Sequence, residues 1–230
     1  MNPQSCRYQA GQARWGAIAT AVIVLVLAAV ALSVIYESGD SRPGRPVDDA
    51  RAAALASELA PMVGDPDAPV HIVEFLDPAC ETCALFYPMV KQWLTEVPGK
   101  LRLSVRHAPF HEGSDHAVRI LEASREQGKY WETLEAMLSS QAQWTQHHKV
   151  IPERVAPAIA SVGLDMVQLM ADMESDEVRR RMAQDHEDAV LLRVSATPEY
   201  FVNGRPLPSF GRQQLMDLVR EELMKAEQGQ

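Results

Sequence analysis

The chain has 230 residues, a formal charge of −9, 47% hydrophobic residues and three cysteines. An acidic balance of this size argues against nucleic acid or anionic lipid as a partner. Three cysteines are too few for a disulfide framework, which excludes the small, stapled secreted scaffolds.

The charge is unevenly placed. The first thirty-six residues carry +2, from Arg7 and Arg14, and the remainder carries −11. Ala17 to Ile35 is a run of nineteen uncharged residues built largely from Ala, Val, Leu and Ile. At ~1.5 Å per residue, such a helix spans roughly the ~30 Å hydrocarbon core of a bilayer. Arg7 and Arg14 precede it, and Glu37 and Asp40 follow it. The positive-inside rule then keeps residues 1–16 in the cytoplasm, makes residues 17–36 an inner-membrane anchor, and sends the rest to the periplasm or outside. A cleaved signal peptide is the competing reading. It usually has a shorter apolar core of ~7–15 residues with small residues at a cleavage site just beyond it. Here the A-x-A match, Ala29-Val30-Ala31, lies inside the run, which favours an uncleaved anchor. On this topology Cys6 is cytoplasmic and cannot pair with Cys80 or Cys83 across the bilayer.

Residues 37–63 read as a tether, rich in Gly, Pro, Ser and Arg up to Val47, then as a short Ala-rich helix from Asp48 to Leu59. Gly64-Asp65-Pro66-Asp67-Ala68-Pro69 is a turn cluster. Val70 to Leu76 follows as a buried strand, apolar and rich in β-branched residues, and Asp77-Pro78 turns the chain. Cys80-Glu81-Thr82-Cys83 then opens a segment of helical periodicity through Phe86, Met89, Val90 and Trp93, with Pro88 inside it and Pro98-Gly99 at its end.

Two thiols at i and i+3 of a helix start lie close enough to form a small disulfide ring. The unpaired N–H groups and the dipole of the helix favour a thiolate on the first sulfur. A thiolate in reach of a second thiol is what disulfide exchange requires. The plain alternative is two cysteines that merely pack in a core, which leaves both their spacing and their placement to chance.

Leu101 to Arg106 alternates strictly and reads as a second strand, parallel to the first through a right-handed crossover. Asp115 to Val194 reads as helix throughout, with no strand. Glu199-Tyr200-Phe201-Val202 returns to strand, Asn203-Gly204 is a two-residue hairpin turn, Pro206 to Phe210 is an edge strand, and Gln213 to Met224 is a closing amphipathic helix.

Taken together, strand, CxxC, kinked helix, strand, helical insertion, Thr-Pro, hairpin and final helix resemble the thioredoxin fold in its DsbA-like form. That is an α/β fold covering residues 64–226, with the insertion at about 112–194. The stretches Gly64-Asp-Pro-Asp-Ala-Pro-Val and Thr197-Pro198-Glu-Tyr-Phe-Val-Asn-Gly204 also look like this family.

The resemblance implies a membrane-anchored thiol–disulfide oxidoreductase. Cys80 matches the family's exposed nucleophile and Cys83 its buried resolving thiol. Pro198 matches a proline held cis beside the disulfide, with the Thr197 backbone free to pair with an extended substrate. Glu74 matches a buried acid that assists proton transfer at the second cysteine, and Pro88 matches the helix-kinking proline. From the residues alone, Glu74 is either a buried carboxyl of raised pKa, able to act as base to Cys83, or a solvated side chain on an edge. The resemblance favours the first.

Strongly oxidising members carry Pro-His between the cysteines. Here Glu81 and Thr82 stand there, and an acid beside Cys80 is expected to disfavour its thiolate and give a less oxidising couple. Thr197 is, in this fold, seen more often in reductase and isomerase members. The implied activity is therefore reductase, isomerase or mild oxidase. Its clients would be exported protein thiols and disulfides, and a membrane or periplasmic redox partner would recycle it. No dissociable cofactor is implied beyond the Cys80–Cys83 disulfide, and a monomer is expected.

The rival from another class is a thiolate metal chaperone, for copper above all, using the same cysteines. Against it, a copper site usually recruits further Cys, Met or His nearby. Met166, Met170 and Met173 fall at helical core spacing, and His107, His111 and His116 lie irregularly in a predicted loop, without zinc-site spacing. No resident metal is expected.

Overall fold

A computed structural model of the protein describes residues 49–229. The expected anchor and Cys6 lie outside these residues. Among the described residues no helix is long and apolar enough to cross a membrane.

The apolar run Val70–Leu76 forms strand β2, with β1 at Met62–Gly64 before it. Helix α2, Glu81–Glu96, connects β2 to β3 at Leu101–His107. Strands β6, Glu199–Val202, and β7, Arg205–Pro206, complete a five-stranded sheet of order β1-β3-β2-β6-β7. As expected, β2 and β3 are parallel, with Glu74 opposite Val105. The other pairs are antiparallel, and Glu74 lies opposite Tyr200 across β2 and β6. The Asn203-Gly204 turn joins β6 to β7 with both residues at positive φ, as a two-residue hairpin requires.

Strand β1 was not expected. It is three residues long and ends at Gly64, where φ is +102° and a Cβ would stand 2.5 Å from the Leu101 carbonyl oxygen, so only glycine fits. The edge strand expected over Pro206 to Phe210 is confined to Arg205–Pro206. Phe210 instead leaves the sheet and packs on Phe86, ring centroids 4.9 Å apart.

Between β3 and β6 lies the helical insertion: α3 Ser114–Ser124, α4 Tyr130–Ser139, α5 Gln141–Trp144, α6 Pro152–Ala158, α7 Met166–Asp172 and α8 Asp176–Leu192. It is not free of strand. Thr145–Gln146 and Lys149–Val150 pair as a small hairpin, β4–β5, and its turn residues His147 and His148 both take positive φ. Within α7 the expected methionine packing is corrected. Met166 and Met170 are exposed, and Leu169 and the following Met173 are buried. The final helix α9 runs Arg212–Gln228.

Two apolar layers flank the sheet. On the face of Ile72, Leu76 and Leu103, the core includes Cys83, Phe86 and Val90 of α2, Leu215 and Val219 of α9, and most of the insertion. On the face of Val73, Phe75 and Phe201 it includes Ala189 and Leu192 of α8 and, from helix α1 (Asp49–Leu55), Ala54 and Leu55. The second layer explains why β3 does not behave as a half-exposed strand. The side of Arg106 is covered, so this guanidinium is fully buried and is neutralised from α8. It donates to Asp185 and Asp188, and to the Ala54 carbonyl at 2.6 Å. Burial opposes its charge, but the two carboxylates outweigh that and raise its pKa. On α8 the apolar residues are only partly inward: Val178 is buried, but Val190 and Leu191 are exposed while Asp185 and Asp188 face the core.

Candidate active site

Cys80 sits at the N-cap of α2 in extended conformation (φ −77°, ψ 117°), and the helix begins at Glu81. Cys83, one turn in, is fully buried, and the two sulfurs are not joined in this structure. Directly opposite lies the Thr197–Pro198 peptide, which is cis. The Cys80 Sγ is 3.2 Å from the Thr197 carbonyl oxygen. That contact covers the sulfur, so Cys80 is 6% exposed rather than open as the resemblance implied. Beside it runs a cleft of about 380 Å³, lined by Thr82, Thr197, Pro198, Tyr200, Leu207 and Phe210.

The two thiols are pushed in opposite directions. The Cys83 thiol hydrogen-bonds the Cys80 sulfur and brings its pKa down to about 5. A hydrogen bond at Thr197 and the backbone N–H groups of Cys83 and Thr82 act in the same direction, and burial opposes them. Burial raises Cys83 far above the thiol range, reinforced by its hydrogen bond to Cys80 and by the Glu74 charge. At neutral pH the first sulfur is thus a thiolate and the second a thiol.

Glu81 is not among the groups that lower or raise the Cys80 pKa: its side chain is 71% exposed and lies 3.8 Å from His148 Nδ1 on the β4–β5 turn, so solvent screens its charge.

Glu74 is fully buried on the sheet face that carries Cys83, on a central strand and not an edge. Tyr200 donates its hydroxyl to Oε1 at 2.9 Å, and Oε2 has no hydrogen-bond partner. Burial pushes the carboxyl up to about 8. The Tyr200 hydrogen bond opposes this and the Cys80 charge adds to it. The unfolded carboxyl titrates near 4.5, so the folded chain holds the proton more tightly. The stability linked to Glu74 is therefore complete below pH 4.5 and is lost as pH rises towards about 8. Glu74→Gln removes that loss. In thermal unfolding of the reduced protein, the Tm of the variant relative to the parent climbs between about pH 5 and 8 and is level above. A difference independent of pH contradicts the buried, protonated carboxyl.

The structure thus brings together Cys80, Cys83, Glu74, Thr197 and Pro198. It separates the three histidines read as one loop. His107 ends β3, buried against Asp185 and Tyr130, His111 sits in the following loop, and His116 lies on α3. Among the described residues no group of three or more His, Cys, Asp or Glu could hold a metal ion. Two neighbours of the site were not singled out in the sequence: Tyr200, set opposite Glu74 by strand register, and Asp77, three residues before Cys80.

A thioredoxin family model matches residues 57–219. The chain belongs to the thioredoxin family, and its fold is the DsbA-like one. A thioredoxin-like oxidoreductase from Silicibacter pomeroyi DSS-3 shares 32% identity over 75% of this chain and 97% of its own, with a TM-score of 0.64. Wolbachia pipientis alpha-DsbA1 shares the fold at 19% identity, covering 76% of this chain and 96% of its own, with a TM-score of 0.64. Among curated proteins, a Na(+)/H(+) antiporter NhaA of Herminiimonas arsenicoxydans is 32% identical over 65% of this chain. The chain spans about a quarter of that relative's length, 23%.

Proposed function

We propose that this protein exchanges disulfides with exported proteins as a moderately oxidising thiol–disulfide oxidoreductase. The observation that carries the reading is the Cys80 sulfur at a helix start, 3.2 Å from the Thr197 carbonyl and beside an open cleft. In the oxidising direction, a client thiolate attacks Cys80 Sγ and the Cys80–Cys83 bond breaks. Cys83 leaves as a thiolate and takes a proton, which Glu74 supplies. A second client thiol then attacks the mixed disulfide and releases Cys80 as the stabilised thiolate. The reverse sequence reduces or isomerises a client disulfide, with Glu74 accepting the Cys83 proton. Thr197 and Pro198 hold the client chain along the cleft.

The direction follows from the thiolate. Stabilising reduced Cys80 favours handing the disulfide on, and a pKa of about 5 lies between the roughly 7 of thioredoxin and the roughly 3.5 of DsbA. The less oxidising character argued from Glu81 therefore rests on Thr197 alone. The apolar run Ala17–Ile35 supports an inner-membrane anchor with this domain in the periplasm. A match within a relative named as an antiporter suits a membrane setting, and its ion transport belongs to that protein.

The test is a comparison of two assays on one preparation. The oxidised domain is expected to restore disulfides to a reduced client faster than the reduced domain breaks those of a native one. Faster reduction would reverse the proposed direction.

A further inference from the structure

The disulfide-exchange steps give Asp77, buried beside the redox centre, no role. Asp77 is fully buried in the turn between β2 and Cys80. Its carboxylate accepts five hydrogen bonds: from Ala79 N–H at 2.8 Å and the Ser114 hydroxyl on Oδ1, and from Phe110 N–H, His111 N–H and His111 Nδ1 at 2.8, 2.9 and 2.7 Å on Oδ2. One of these donors lies in its own turn, and the others come from the loop after β3 and the first turn of α3. The Asp77 carbonyl also accepts from Cys80 N–H at 3.0 Å, and the Pro78 carbonyl accepts from Gln141 Nε2 of α5 at 2.7 Å. The three residues leading into the active cysteine, Asp77 to Ala79, are thus held from the loop after β3 and from α3 and α5 of the insertion.

We infer that Asp77 is a positioning residue of the redox centre, through which the insertion sets the placement of the Cys80 sulfur. The Ala79 and Cys80 N–H bonds to Asp77 fix the extended N-cap conformation that carries Sγ over the start of α2 and against Thr197. The Ser114 and loop bonds keep that turn from moving away from the sheet. Ser114 of α3 and Gln141 of α5 are the donors that helices of the insertion supply. The inference rests on the reading of Cys80 as the thiolate nucleophile.

Asp77→Asn tests it in the full chain, because the amide presents N–H groups to donors that now meet an oxygen. The readout is the rate at which Cys80 of the reduced protein is alkylated as pH is varied, alongside Tm. Loosening the cap weakens thiolate stabilisation, so alkylation near pH 5 is expected to fall about tenfold. Removing a negative charge without moving the turn acts oppositely and speeds it. Either a faster rate or an unchanged rate with only a lower Tm overturns the inference. Ser114→Ala keeps the carboxylate and its backbone donors, and is expected to slow alkylation by about two- to threefold. Should the Asn variant not fold, an unchanged or faster rate in Ser114→Ala overturns the inference in its place. A parent Cys80 that titrates in the ordinary thiol range would instead overturn the nucleophile reading, and the inference with it.

Discussion

Cys83→Ala is expected to stop the protein at its covalent intermediate. Cys80 loses the Cys83 thiol hydrogen bond that does most to lower its pKa, but it keeps the backbone N–H groups at the helix start. It therefore still attacks a client disulfide, faster as pH rises. No second thiol remains to release the product, and a mixed disulfide accumulates through Cys80. Non-reducing electrophoresis with a disulfide-bonded client shows the adduct, and multiple-turnover exchange falls to background. Cys80→Ser loses both adduct and turnover, since a buried Cys83 thiol with its pKa driven up by desolvation is a poor nucleophile. Adducts formed equally well by both variants contradict the assignment of roles.

Asp185→Ala has the largest expected effect on stability. Asp185 accepts from Arg106 Nε, from His107 N–H at 2.8 Å and, at 3.1 Å, faces His107 Nδ1. Burial alone would raise its pKa, but hydrogen bonds and charges from His107 and Arg106 more than reverse this and hold it below the usual range. Truncation leaves a buried guanidinium with Asp188 as its remaining carboxylate partner, and removing one partner of a buried pair costs about 3–5 kcal/mol. For a domain of this size that corresponds to a fall in Tm of roughly 6–20 °C. Calorimetry of the variant at pH 7 checks it, and a fall of less than a few degrees contradicts the cluster's role in joining α8 to the sheet. Because Asp185 has a depressed pKa, its contribution is present above the ordinary carboxylate pKa and fades as pH falls through the folded value.

The redox pair and its frame were readable because each rests on local chemistry. A β-branched run bounded by turns makes β2, two thiols three apart mark the helix start, and Asn-Gly makes the β6–β7 hairpin. What escaped depends on the second apolar layer. Alternation in β3 assigns Arg106 to solvent, and only the packing of α1 and α8 turns that face into interior. The same layer buries Asp185 and Asp188 while Val190, an apolar residue two positions on, faces out. The β4–β5 hairpin escaped because His147-His148 is not a usual pair for two left-handed positions. Asp77 looked like ordinary turn chemistry, and its Ala79 bond is that. The bonds from Phe110, His111 and Ser114 span more than thirty residues, which no local pattern reports. Adjacency in sequence does not by itself make Glu81 an electrostatic neighbour of Cys80, because its exposed side chain turns outward to His148.

The most direct test of the account is the reduction potential of the Cys80–Cys83 couple, equilibrated against glutathione in the purified protein. A thiolate held at about 5 predicts a value between those of DsbA and glutaredoxin, from about −120 to about −230 mV. A value at or below the roughly −270 mV of thioredoxin would contradict it and make the protein a reductant that needs an electron donor.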